Sequence, residues 1–366
     1  MNKLNKTLLL ISAAMLLACD GKESAGPEPT PARDKVPLQI VSGIGSTTRA
    51  FDSSWESTDA IGVFTTVAGS GTNENTNPYV VTKSGAYNDE NIKYVFNGTA
   101  GNTQTGGNAT VGYIYAYQGF TPGSSNKIFL PADGSDVDVY AYSPWTIGVT
   151  ASSPLSISIP TSQTPDNQKA TDVLKASLAS TELAPIDIDH YTVQLLFHHV
   201  LSKVIVKLKA GTGYNASDLS GLTEVKFAGQ PVSATFAPIT QALTITDADA
   251  DQNVVACQLE SSDPAFSSEP GVIHTYRALL LPNDETNLST KTTRKIVFTV
   301  GSGSNTIAYY YNLYNSNNPT SGSPIVFGSG QVTTFTITLQ ATGVSITAAI
   351  TDWTEVTSVP ETPLYE

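Results

Sequence analysis

Val36-Pro37-Leu38-Gln39-Ile40-Val41-Ser42-Gly43-Ile44 sets apolar side chains at Val36, Leu38, Ile40 and Ile44, all on one side of an extended chain. A period of two suits a strand that lies in a sheet with one face in a core. Upstream, residues 20–35 (DGKESAGPEPTPARDK) carry too little apolar surface to order themselves and read as a tether. Downstream, TTRAFDSSW (residues 47–55) places one basic residue, Arg49, among small ones, just before the aromatic pair Phe51 and Trp55. An arginine in a Ser/Thr-rich run is ordinarily only a solvated side chain. Directly behind an amphipathic strand it has a second meaning: a cut between Arg49 and Ala50 would release the N-terminal end together with that strand. The sheet that held the strand would be left with an open groove. Arg33 and Lys35 are competing cut points, and cleavage at either would leave the strand in place.

The first 18 residues have a short basic start (Lys3, Lys6) and an apolar run from Leu8 to Leu17, too short to cross a bilayer and flanked as a secretory signal is. Its ending, Leu16-Leu17-Ala18-Cys19, resembles a bacterial lipobox. That resemblance implies cleavage before Cys19 and a lipid on its thiol, which anchors a protein to a membrane without spanning it. Asp20 and Glu23, just after the cysteine, are compatible with export to the outer face of an outer membrane.

The chain has 366 residues, a net charge of −13 and 14% charged residues, so its surface is mostly Thr, Ser, Asn and Gly with carboxylates in excess. Nucleic acid is not a partner on those grounds. With Cys19 lipidated, Cys257 stands alone in VVACQL and reads as a small buried apolar residue. The length suffices for two domains, each with its own core.

From Ala50 onward the chain is strand-like. Ala60 to Phe64, Asn91 to Phe96, Val111 to Tyr117, Asp136 to Trp145, Leu155 to Pro160, Lys203 to Leu208, Ala242 to Thr246, Tyr276 to Pro282, Lys295 to Val300, Thr333 to Leu339 and Val344 to Ile350 are rich in β-branched and aromatic residues. Gly, Pro, Asn or Asp bound most of them. Their number and spacing predict an all-β protein of sandwich type. Two short helices are expected, within Asp172 to Leu183 and Ala216 to Leu222, and two loops, Thr66 to Asn77 and Thr99 to Thr110. A domain joint between Pro185 and His190 divides the folded part into residues 50–188 and 189–366. Residues 1–18 form the signal, and residues 19–49 the lipidated tether with the removable strand.

RAFDSSWESTDAIGVF (49–64), DVYAYSPW (138–145), TDVLKAS (171–177), VQLLFHHVLSKVIVKL (193–208), YRALLLP (276–282) and GQVTTFTITLQATGVSITAAITDW (330–353) together resemble, in order and spacing, the fimbrillin-like proteins of the Bacteroidetes, the type V pilins and their accessory subunits. The similarity covers nearly the whole chain. It implies two tandem transthyretin-like β-sandwiches, export as an outer-membrane lipoprotein precursor, and maturation at the cell surface by a trypsin-like or arginine-specific protease. Assembly into a fimbrium with other pilus subunits would then proceed by strand exchange. Carried over by position, Cys19 is the lipidated residue, Arg49-Ala50 the cleaved bond, and Val36 to Ile44 the strand lost. After Trp353 the tail carries Val356, Val359 and Leu364 without a clean period of two, and Pro360 and Pro363 each remove a ladder donor. A tail of that kind suits a tip or accessory subunit that accepts a strand without passing one on. A host or bacterial surface ligand is a further partner that the adhesive members of such a family imply.

Other constellations carry less chemistry. DADADQN (Asp247 to Asn253) sets Asp247, Asp249 and Asp251 at alternate positions as a calcium loop would, but Gln252 and Gln258 stand where an EF-hand needs Gly and Glu. It reads as a polar turn, and neither metal nor cofactor is expected. His198 and His199, adjacent on a strand, point to opposite faces. No G-x-S-x-G, H-E-x-x-H, P-loop or C-x-x-C occurs, so an enzyme is not expected. Tyr309, Tyr310 and Tyr311 with Tyr314, or the region of Trp145, form either an aromatic platform for sugar rings or core filling. The alternative to a pilus subunit is therefore a lipid-anchored surface glycan-binding protein, with a secreted hydrolase behind it.

Overall fold

The computed structural model describes residues 36–44, 55–56, 59–68, 91–96, 104–106, 115–122, 127–132, 134–219, 221–246, 251–263, 265–283, 293–301, 306–313, 325–340 and 343–352. Cys19, Arg49, Ala50, Asp247, Asp249, Val356, Val359 and Leu364 lie outside the described residues. In chain order the strands are β1 (Gln39–Ile44), β2 (Ala60–Val67), β3 (Ile92–Phe96), β4 (Gln104–Gly106), β5 (Tyr115–Pro122), β6 (Val137–Ser143) and β7 (Leu155–Ser158), then helix α1 (Pro165–Thr171). They continue with β8 (Leu174–Leu178), β9 (Thr192–His199), β10 (Ser202–Ala210), helix α2 (Ala216–Leu219), β11 (Leu222–Gln230), β12 (Ser233–Ala237), β13 (Ala242–Ile245), β14 (Gln252–Val255) and β15 (Cys257–Gln258). The last are β16 (Val272–Leu280), β17 (Lys295–Val300), β18 (Ile307–Asn312), β19 (Gln331–Gln340) and β20 (Gly343–Asp352). The protein is all-β, as its sequence pattern predicts.

Two cores organise these strands. The first lies inside a ring with the order β1-β9-β8-β6-β2-β3-β5, which closes because β5 pairs back onto β1, with β4 appended to β5. Alternation builds it: Ile92, Tyr94 and Phe96 of β3 and Val137, Val139 and Ala141 of β6 point into this core. The opposite faces of β2 and β6 are not solvated. Phe64 and Tyr142 point away from the ring and join the second core.

The second core is shared by a five-stranded sheet, β15-β16-β10-β19-β20, and a four-stranded one, β14-β11-β17-β18. Val204, Val206, Phe335 and Ile337 from the first meet Val225, Phe227, Ile296 and Phe298 from the second, the arrangement of a sandwich. A small sheet, β13-β12-β7, adds Leu155, Ile157 and Phe236 to the same core.

Four expectations need correction. β9 lies beyond the expected joint at 188/189 yet is hydrogen-bonded into the ring, while β7 lies before it and pairs with β12, so strand pairing crosses the boundary in both directions. The expected helix at Asp172 to Leu183 is strand β8, because Leu174 and Ala176 are buried at period two. The helix precedes it: Thr164 caps α1 with a reciprocal bond to Asn167, and Pro165 starts the first turn. Within the expected loop Thr99 to Thr110, residues Gln104–Gly106 form β4, and the loop expected from Thr66 begins two residues later because β2 runs to Val67.

Candidate assembly site

The strand quoted at the outset is the one that closes the ring. β1 runs parallel to β9, with Gln39 opposite Thr192 through Ile44 opposite Phe197, and antiparallel to β5, with Ile40, Val41 and Ser42 opposite Phe120, Gly119 and Gln118. Just before it, Leu38 N–H donates to the Ile128 carbonyl (2.9 Å), and Leu130 N–H donates to the Val36 carbonyl (3.0 Å). Pairing therefore continues on to residues 128–130. Both edges of this segment are occupied.

Leu38, Ile40 and Ile44 are buried in the first core, and Val36 packs at its rim, as their spacing predicts. Val193, Leu195, Phe197 and Phe120 surround them from the two walls. Val41 on the opposite face is buried as well, which the one-sided pattern did not anticipate. Full burial of Leu38, Ile40, Val41 and Ile44 stabilises by about 1.5–3 kcal/mol each, roughly 6–12 kcal/mol together as an upper bound. Backbone bonds add a net ~0.5–1.5 kcal/mol apiece. An interaction of that size does not lapse spontaneously at a useful rate.

Two further features belong to this slot. Ser42 shares the inward face with Ile40 and Ile44, opposite Leu195, and is completely buried. Its hydroxyl has no hydrogen-bond partner among the described residues. Beneath the strand, Trp55 is set edge-on to Phe120 on one wall and Phe197 on the other, each with ring centroids 5.1 Å apart. Trp55 thus spans the slot from β5 to β9. Ile44, at the end of β1, and Trp55 both lie in this core.

At the Ile44 end, a cavity of about 50 Å³ is lined by Ile44, Trp55, Asp59, Ser143, Pro144, Lys169, Asp172 and Leu174. Burial raises the Asp59 carboxyl above its ordinary range despite the Glu56 N–H bond and the nearby Lys169 ammonium. Lys169 pairs with Glu56 at 2.6 Å. His199 is buried at the end of β9, where Nδ1 meets the Asp172 carboxylate at 2.9 Å. Its neighbour His198 sits opposite Lys175, and burial followed by that ammonium lowers its pKa. The two histidines do not converge.

Among the described residues no group of three or more His, Cys, Asp or Glu is placed to hold a metal ion. Asp251 lies at the rim of a groove on the outer face of the four-stranded sheet. The tyrosine run divides: Tyr309 and Tyr311 pack against the second core, Tyr310 is 62% exposed, and Tyr314 lies outside the described residues. Trp145 is half-buried, with its indole N–H donating to the Asn91 carbonyl (3.0 Å). Cys257 is buried, and that burial pushes its thiol up. Sequence reasoning named the strand but neither wall of its slot, which come from residues about 80 and 150 positions further on. Ser42 was detectable by parity alone.

The fold is thus a strand-closed ring followed by a sandwich. Residues 48–353 match the fimbrillin-like family model, and the chain belongs to that family. A curated relative from Bacteroides uniformis, described as a candidate fimbrium subunit (Fim1C), is 25% identical over 350 residues, covering 94% of this chain and 93% of its own. The crystal structure of a candidate cell adhesion protein from the same species is 25% identical with a TM-score of 0.58, covering 87% of this chain and 99% of that one. A second such protein, from Bacteroides ovatus, shares the fold at 20% identity and a TM-score of 0.54, covering 88% and 100%. The chain is accordingly a fimbrial subunit, a part of a cell-surface appendage built with other such subunits.

Proposed function

We propose that the chain is made as a lipoprotein precursor anchored to the outer membrane through Cys19, and that an arginine-specific or trypsin-like protease cuts it between Arg49 and Ala50. β1 then leaves, and a strand from another pilus subunit takes its place by donor-strand exchange. The observation that carries this reading is that β1 is paired along both edges and, among the described strands, alone joins β5 to β9. Its departure opens the ring into a groove with two rows of unpaired backbone groups and an apolar floor at Trp55. Until then the ring has no edge there, so the precursor does not assemble early. The family match begins at residue 48, beyond β1, which supports a segment separable from the mature fold.

The incoming strand must set apolar residues where Leu38, Ile40 and Ile44 stand. The chain's own C-terminal tail offers Val356, Val359 and Leu364, broken by Pro360 and Pro363, and so suits a tip or accessory subunit more than a stalk one. Limited trypsin treatment of the purified full chain, with N-terminal sequencing and gel filtration, tests the proposal. A product that begins at Ala50 and goes on to form higher oligomers is expected. Arg49→Ala should remove both. A chain cut only at Arg33 or Lys35, or one that oligomerises equally well as the Arg49→Ala variant, refutes it.

A further inference from the structure

The outer face of the four-stranded sheet carries a groove that β1 does not line. Alternation along β17 and β18 turns Ile296, Phe298, Tyr309 and Tyr311 toward the core and Lys295, Val297, Ala308 and Tyr310 outward. Across the ladder, Tyr310 stands opposite Val297, which stands opposite Lys226 of β11, and Lys295 stands opposite Ala228. The low side chains Ala228, Val297 and Ala308 make a floor, and longer ones rise around it. The result is a groove of about 400 Å³, lined in addition by Asp251, Asn253 and Thr293.

A bulge widens one side. Between Phe227 and Gln230 the register of β11 against β14 shifts. Gly229 takes φ +71° there, lying so close to Thr293 and the Arg294 amide that a Cβ would fall 2.9 Å from the Thr293 hydroxyl. With Val254 turned into the core, alternation places Asp251 and Asn253 on the β14 side of the groove's rim.

Tyr310 is a large aromatic left 62% exposed on a chain whose other two adjacent tyrosines are tucked inward. Lys295 Nζ lies 5.3 Å above the Tyr310 ring centroid, and among the described residues no carboxylate pairs with it. Lys226 is held by Glu224 at 3.1 Å. An aromatic face flanked by donors (Lys226, Lys295), acceptors (Asp251) and groups that are both (Asn253, Thr293) is what a pyranose requires. Its C–H face stacks on the ring, and its hydroxyls both donate and accept. The volume falls within the ~300–1,000 Å³ range of small-ligand sites.

We propose that this groove binds a carbohydrate, with one hexopyranose ring on Tyr310 and its hydroxyls bonded by Asp251, Asn253 and the two lysines. This gives the fimbrial subunit an adhesive surface that remains available whichever strand fills the β1 slot. Mannotriose, maltotriose and trigalacturonic acid titrated into the full chain, followed by saturation-transfer NMR and calorimetry, test it. At least one should bind with Kd on the order of 0.1–10 mM, with strongest transfer to the protons of a single ring. Tyr310→Ala should weaken binding about tenfold, while Tyr310→Phe keeps it within about twofold. Ile147→Ala, at another exposed apolar residue, should change nothing. Failure of all three sugars to bind, or binding that survives Tyr310→Ala in a folded variant, overturns the inference.

Discussion

Replacing Ser42 with alanine should make the protein more stable. The serine sits on the inward face of β1, completely buried, with Ile40 and Ile44 on either side of it and Leu195 opposite on β9. Its hydroxyl lost its water on folding and gained no partner among the described residues. Leaving such a group unsatisfied costs about 1–3 kcal/mol, and the one atom lost in Ser42→Ala forfeits only a small part of that in packing. A net gain of about 1 kcal/mol is expected. In guanidinium denaturation of the full chain the midpoint should rise with no change in slope, since the surface exposed on unfolding is the same. In chain nicked at Arg49, the same gain should slow release of the labelled N-terminal segment about fivefold. A loss of 1 kcal/mol or more would refute the reasoning, because it would mean that the hydroxyl is bonded in the folded state. A stabilised protein whose nicked segment leaves no more slowly would place the gain outside the slot.

Three other expectations follow from the same geometry. Trp55→Ala removes the ring that touches both Phe120 and Phe197, and should cost about 3–5 kcal/mol by thermal or chemical denaturation, whereas Trp55→Phe should cost less than half of that. Gly62→Ala would drive a methyl group into the Tyr142 ring and the Asn91 side chain, which are bonded to each other at 3.0 Å, and should destabilise by roughly 1–3 kcal/mol in the same assay. His198 is held below its ordinary pKa of 6.5, chiefly by burial, so the unfolded chain binds the extra proton first. Stability should therefore hold above pH ~6.5 and fall as the pH drops below it, and His198→Asn should flatten that decline in denaturation curves taken at about pH 7.5 and 5.5.

How far the fold could be read ahead depended on whether the decisive signal was local. The inward set Leu38, Ile40 and Ile44 was legible because period two survives wherever one face is buried. β8 lies where a helix is expected although Leu174 and Ala176 alternate, and α1 lies where none is expected although Thr164-Pro165-Asp166-Asn167 carries a cap, an N-terminal proline and a capping box. Those errors had remedies in the residues. The walls of the slot had none: nothing near Ile40 announces Phe120 or Val193 as its neighbours, since long-range pairing leaves no local trace. The same holds for the groove on the outer face, where alternation places Tyr310 outward but nothing near it in sequence announces Lys226, Asp251 or Asn253 as its neighbours.

The two walls of the slot differ in chain direction, β9 running with β1 and β5 against it. Hydrogen-bond spacing along a parallel ladder is not interchangeable with that along an antiparallel one. A replacement laid in backwards would present the wrong spacing to each side at once, so the slot reads an arrow as well as a pattern of side chains. Under the strand exchange proposed above, subunits joined through it would all face the same way, and their fibre would have a leading end and a trailing end from its first junction onward.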